Sequence, residues 1–156
     1  MIRRADLDDI PGILRLGLNA FNDSRFSDEE TFVDVASAQA FLAHAIGQQG
    51  DPETYATHVL IAEEEGQIIG LLIGVIRPLY EVLSRNMLTH VIWYVAPGAD
   101  GRLAMRLMNE LHAWADQNGP VLKVHSITNS IIAPSLLSRL MRIAGFKQVG
   151  AIYEKE

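Results

Sequence analysis

The sequence contains no cysteine. Disulfides, thiolate nucleophiles and cysteine-held zinc or iron–sulfur sites are therefore excluded. Positive charge is also scarce: 13 Lys and Arg stand against 19 Asp and Glu, a formal net charge of −6. Without a basic footprint a chain is poorly suited to sequence-independent nucleic-acid binding, although a small basic patch can still serve a phosphate ligand. Long apolar runs are missing too. The richest, residues 68–76, includes Gly70 and Gly74 and falls well short of the ~20 residues of a membrane-spanning helix. The basic pair Arg3-Arg4 is followed by Asp6, Asp8 and Asp9, where a secretory leader would carry its apolar stretch. No histidines or carboxylates pair at a metal-ligand spacing such as H-E-x-x-H, so no metal site is expected. These exclusions lead to the expectation of a soluble, cytoplasmic protein, cellular or phage-encoded, with neither a nucleic-acid nor a membrane partner.

What is present is a globular mixture. Hydrophobic residues make up 49% of 156 and charged residues 21%, which is incompatible with intrinsic disorder. The length suggests one domain over residues 1–156, able to bury about two-thirds of its unfolded surface. Residues 2–5 read as a short strand. Asp6 caps a helix beginning near Leu7, with Pro11 tolerated in its first turn and Ile10, Ile13, Leu14, Leu18 and Phe21 forming its stripe. Ser27 and Glu30 have capping-box spacing, but a second helix is clearer from Ala38 to Gly47. Residues 58–62 and 67–76 form an apolar hairpin around Glu63-Glu64-Glu65-Gly66, and residues 87–95 a further strand. Leu103, Leu107, Leu111 and Trp114 mark a helix that Gly119-Pro120 stops. Residues 121–127 read as a strand, Pro134 opens a last helix, Gly145 closes it, and residues 146–154 read as a final strand. This order implies an α/β fold: a mixed, mostly antiparallel sheet with helices on both faces. The strands at 87–95 and 121–127 are expected to be parallel neighbours that splay near Tyr94.

The stretch Tyr94-Val95-Ala96-Pro97-Gly98-Ala99-Asp100-Gly101-Arg102-Leu103 takes a strand through a glycine turn into a helix. Unpaired N–H groups and the helix dipole favour an anion there. Gly98 and Gly101 permit close approach, and Arg102 and Arg106 lie one turn apart, able to reach one phosphate. An ordinary turn with solvent-facing arginines is the plainer reading of these residues alone. A Walker A loop is excluded because no Gly-Lys-Ser/Thr follows.

Along its length the chain resembles the GNAT family of acyl-CoA-dependent N-acyltransferases. Ile2-Arg3-Arg4-Ala5 with Asp9-Ile10 is similar to that family's first strand and helix. Ala62-Glu63 through Gln67-Ile68-Ile69-Gly70 resembles its second and third strands, Tyr94-Val95-Ala96-Pro97 the end of its fourth, Leu140 through Gly145-Phe146 its last helix and following strand, and Tyr153-Glu154-Lys155 common family endings. The resemblance implies a GNAT-like fold that transfers an acetyl group from acetyl-CoA, as co-substrate, to a primary amine of a small molecule or protein. It implies cofactor contacts at Tyr94, Val95, Gly98, Ala99, Gly101, Arg102, Leu103 and Arg106, with Asn129 standing in for an Asn that the family places at the start of its last helix. A general base is often carried on the fourth strand. His90 is the one side chain on residues 87–95 whose ordinary pKa lies near neutral and is the candidate base; a half-buried histidine bonded to a loop carbonyl is the alternative. Strand alternation would set His90, Ile92 and Tyr94 on one face.

The family's phosphate-loop places hold Asp100, Leu103 and Met105 in one register, or Ala99, Arg102 and Ala104 in another. Met141 occupies the place of its proton-donating Tyr. These departures keep a second reading open: a non-catalytic GNAT-like protein serving as a binding module or inhibitor. Among the remaining histidines, His44 and His112 read as surface, His58 as structural, and His125 as core or cleft lining. Glu63, Glu64 and Glu65 read as a solvated hairpin tip. Asp23, Asp28, Glu29 and Glu30 lie where a cationic amine could be attracted. Trp93 and Trp114 read as packing anchors, and Ser135 and Ser138 lack the surroundings of a hydrolase nucleophile. A homodimer is compatible with the sequence.

Overall fold

The computed structural model describes residues 1–27, 31–49, 56–127 and 134–150. Its elements are β1 (Ile2–Arg4), a 3₁₀ turn (Leu7–Asp9), α1 (Ile10–Asn22), α2 (Val35–Gly47), β2 (Ala56–Glu64), β3 (Gln67–Pro78), β4 (Asn86–Val95), α3 (Leu103–Asp116), β5 (Val121–Lys123) and α4 (Pro134–Ile143). The five strands lie in the order β1-β2-β3-β4-β5. The first three pairings are antiparallel, and β4 and β5 are parallel, Asn86 opposite Val121 and Leu88 opposite Lys123. The expected mixed sheet with its parallel crossover is present.

Local chemistry sets the ends. Asp6 and Asp9 form a reciprocal capping box at the 3₁₀ turn, and Pro11 falls in the first turn of α1. Asp34 accepts the Ser37 N–H and opens α2 three residues before Ala38. Glu65 and Gly66, both at positive φ, make the two-residue turn between β2 and β3. Gly145, at φ +87°, closes α4. The Phe146 N–H returns to the Met141 carbonyl and the Gly145 N–H to that of Arg142, a Schellman motif.

The sheet is covered on both faces. Ile13 and Leu16 of α1 and Leu42 and Ile46 of α2 pack on Val59, Ile61, Leu71 and Ile73. Leu103, Leu107, Met108 and Leu111 of α3 pack on Leu60, Leu72, Ile76 and Leu88. Burial on both sides is why β2 and β3 read as continuous apolar runs rather than alternating ones. Each fully buried Leu or Ile contributes about 1.5–3 kcal/mol. The stripe of α1 runs through Leu16, while Leu18 turns outward.

Three expectations need correction. Glu63 is not part of a solvated tip. Arg3 spans Asp9 (2.7 and 2.8 Å) and Glu63 (2.9 Å), tying β1, the 3₁₀ turn and β2 together. The Arg3 guanidinium holds the Asp9 carboxyl below its ordinary range. β5 stops at Lys123 instead of running to Ile127, because its ladder with β4 ends at Leu88, as described below. Residues 146–150 form no strand, and the remainder of that expected strand lies outside the described residues.

Candidate active site

β4 carries a bulge. Ile73 pairs with Ile92 and Gly74 with His90, leaving Val91 as an extra, exposed residue. A bulge resets the alternation of a strand. His90 therefore shares the α3 face with Leu88, whereas Ile92 and Tyr94 pack on the α1–α2 face. The expected common face of His90, Ile92 and Tyr94 is overturned for this reason. Opposite His90 stands Gly74. A Cβ there would lie 2.3 Å from Leu111 Cδ1, so the glycine is what lets α3 approach the sheet at this level.

The same level is where β4 and β5 part. Their ladder ends at Leu88 and Lys123, extended by one bond from the Val124 N–H to the Leu88 carbonyl. Among the described residues, residues 89–95 have no strand partner on that side. The separation thus begins several residues before Tyr94. At its vertex His90 Nδ1 lies 2.9 Å from His125 Nδ1, and His125 Nε2 lies 2.9 Å from His112 Nε2. Trp93 meets His90 edge-on, and Phe146 packs against both His112 and His125. Burial pushes all three imidazoles below their ordinary pKa, with His125, between two other rings, reaching about 3. Each N–H···N bond joins a protonated nitrogen of one ring to a bare nitrogen of the next.

His112 is accordingly not a surface residue; it faces the core side of α3. Its partners lie on separate elements, so no spacing in the sequence could have revealed the row. The His58 ring stacks nearly parallel on Trp114, centroids 4.6 Å apart, and burial lowers its pKa to about 4. His44 is exposed, as expected.

Beyond β4, Ala96 to Ala99 form a type II turn. Pro97 takes its second position, Gly98 sits at φ +86°, and the Ala99 N–H reaches the Ala96 carbonyl. Nothing lies within 4 Å of a Cβ built on Gly98 or Gly101. Arg102 and Arg106 are exposed at the start of α3. The carboxylate of Asp100 accepts the Arg102 N–H at 2.9 Å, and its carbonyl takes the Leu103 N–H. The Leu103 side chain lies in the core. Asp100 therefore holds one amide that an anion would use, while the open glycines and paired arginines leave room and charge for phosphate.

Val95 pairs with Gly70 at the end of β4. The Tyr94 hydroxyl donates to Asp23 Oδ2 at 2.9 Å, and burial together with this bond pushes the phenol up to about 12. One oxygen of Asp23 is thereby engaged within the protein. Ala99 packs at the margin of the α3 core. The Trp93 indole donates to the Ala104 carbonyl, fixing the first turn of α3 to β4. Asn129, Asp28, Glu29 and Glu30 lie outside the described residues. Among the described residues, no group of histidines and carboxylates is disposed to hold a metal ion, and no helix is long and apolar enough to cross a membrane.

With its mixed five-stranded sheet and covering helices, this chain has the GNAT acetyltransferase fold. It is similar over 100% of its length, and 97% of the other chain, to the aminoglycoside 6'-N-acetyltransferase of Acinetobacter haemolyticus (18% identity, TM-score 0.69). It also matches a predicted acetyltransferase of Clostridium acetobutylicum with acetyl-CoA (16%, TM-score 0.71, covering 100% and 95%). A third match is the ribosomal-protein-alanine N-acetyltransferase of Brucella melitensis (22%, TM-score 0.70, covering 96% and 86%). No family model and no curated protein sequence matches the chain.

Proposed function

We propose that the chain is an N-acyltransferase that moves an acetyl group from acetyl-CoA to a primary amine of a small molecule or protein. The observation that carries this reading is the parting of β4 from β5 at the Val91 bulge, with a histidine at the vertex. Past Leu88 the outward backbone groups of β4 have no strand partner among the described residues and suit an extended, amide-bearing arm, and the turn at residues 96–101 leads to Arg102 and Arg106 for its phosphates. Tyr94 and Val95 line the end of the strand. Acetyl-CoA supplies the activated acyl group. The protein's part is to align it with the amine and to receive the amine's proton. His90 suits the latter role: Nδ1 is held by His125, which leaves Nε2 to meet the acceptor, and burial keeps the ring neutral and able to accept a proton near pH 7.

Calorimetric titration with acetyl-CoA, followed by thiol release on a panel of amines, tests the reading. Binding and turnover support it. His90→Ala is expected to lower turnover ~100- to 10,000-fold with acetyl-CoA affinity retained; an equally fast variant removes His90 from the mechanism. A second reading, a non-catalytic binding module or inhibitor, is favoured by the Asp100 carboxylate at the mouth of α3 and by Met141 in the place of a proton donor. A wild-type protein that neither binds acetyl-CoA nor releases thiol removes the first reading and leaves the second.

A further inference from the structure

His90 on β4, His125 just beyond β5 and His112 on α3 stand in series, joined through both nitrogens of the central ring. Each of the two N–H···N bonds needs one proton. Three neutral rings therefore have two arrangements. In one, His90 Nδ1–H donates to His125 Nδ1 and His125 Nε2–H donates to His112 Nε2, leaving His90 Nε2 bare. In the other both bonds are reversed and His90 Nε2 carries the proton. They interconvert when both bonded protons shift, one proton is gained at His90 Nε2 and one is lost from His112 Nδ1.

We propose that these three histidines form a proton relay between the vertex of the β4–β5 cleft and the His112 edge of α3. The inference rests on the acetyl-transfer reading above and extends it: His125 and His112 act through His90, not on the substrate. The step balances as follows. The acceptor's N–H bond breaks and an N–H bond forms at His90 Nε2. The His90 Nδ1 proton passes to His125 Nδ1, the His125 Nε2 proton passes to His112 Nε2, and His112 releases its Nδ1 proton to water. When the leaving thiolate takes the proton from His90 Nε2, the shifts run backwards and water returns the borrowed proton to His112 Nδ1. Net transfer is one proton from amine to thiol. Around the row, Asp116 and Lys123, paired with each other, flank His112; Asp116 favours a charge there and Lys123 opposes it. Trp93 and Phe146 supply the apolar walls that keep water from short-circuiting the middle.

The test begins with histidine-labelled wild type. Nitrogen–nitrogen scalar couplings should connect His90 Nδ1 to His125 Nδ1 and His125 Nε2 to His112 Nε2; their absence overturns the relay whatever the enzyme does. With an amine that wild type acetylates, His125→Phe and His112→Phe should each lower kcat about tenfold or more, with unchanged acetyl-CoA affinity and amine KM. The curved solvent-deuterium dependence of wild type should become linear. Should His125→Phe fail to fold, His112→Ala carries the test, and added imidazole should restore its kcat. Variants with wild-type kcat and pH profile overturn the relay while leaving acetyl transfer intact. Wild type that never binds or uses acetyl-CoA overturns the acetyl-transfer reading and the relay with it, and that outcome is seen before any variant is made.

Discussion

His58 stacks flat on Trp114 and is held to about 4 by burial first and by the charge of Arg4 second, against an ordinary 6.5. The sign follows from linkage. The unfolded chain binds this proton at a higher pH than the folded one, so stability is complete above pH 6.5 and is lost as pH falls toward 4. With these two values, His58 alone costs about 2 kcal/mol by pH 5 and about 3 kcal/mol below pH 4. The perturbation is His58→Phe, which keeps a flat ring on Trp114 and removes the titration. Urea unfolding of both proteins, followed by tryptophan fluorescence at pH 7, 6 and 5, measures the difference. His90, His112 and His125 are depressed in both proteins and cancel in the comparison. Between pH 7 and 5 wild type should lose about 2 kcal/mol more than the variant. Equal losses would refute the reasoning, because they would mean that the His58 site pays no charging penalty.

Gly74→Ala should destabilise the fold by about 1–3 kcal/mol, since its Cβ would meet fully buried Leu111 at 2.3 Å; a double-mutant cycle with Leu111→Ala in denaturant melts should show a loss smaller than the sum. Asp100→Asn removes a charge from the start of α3 and should tighten acetyl-CoA by about 1 kcal/mol per neighbouring phosphate charge, taken at ~5 Å and an effective dielectric of ~60. Asp100→Ala, which also loses the bond to the Arg102 N–H, should cost about 1 kcal/mol in thermal stability; paired calorimetry and melting curves separate the two effects. Replacing both Arg102 and Arg106 with Ala should weaken acetyl-CoA binding by more than the ~1 kcal/mol of an exposed ion pair, and an unchanged dissociation constant would move the phosphates elsewhere.

The element order through α4, the antiparallel hairpins and the parallel crossover were legible in the sequence, because each rests on local rules. Asp6 and Pro11 open a helix, Pro97-Gly98 makes a type II turn, Gly145 stops α4, and the apolar period distinguishes helix from strand. His90 and the residues of the turn could be picked out as candidates for the same reason. What they face was decided only by packing. One unpaired residue, Val91, turns His90 to the α3 side and Tyr94 to the other, and hydrophobic periodicity carries no mark of a bulge. The partner of Glu63 is Arg3, far away in the sequence. His112 and His125 meet His90 because α3 crosses the sheet over Gly74 and the chain leaves β5 beside β4. The depressed imidazoles follow from that meeting, since desolvation is a property of the assembled core and of no single segment.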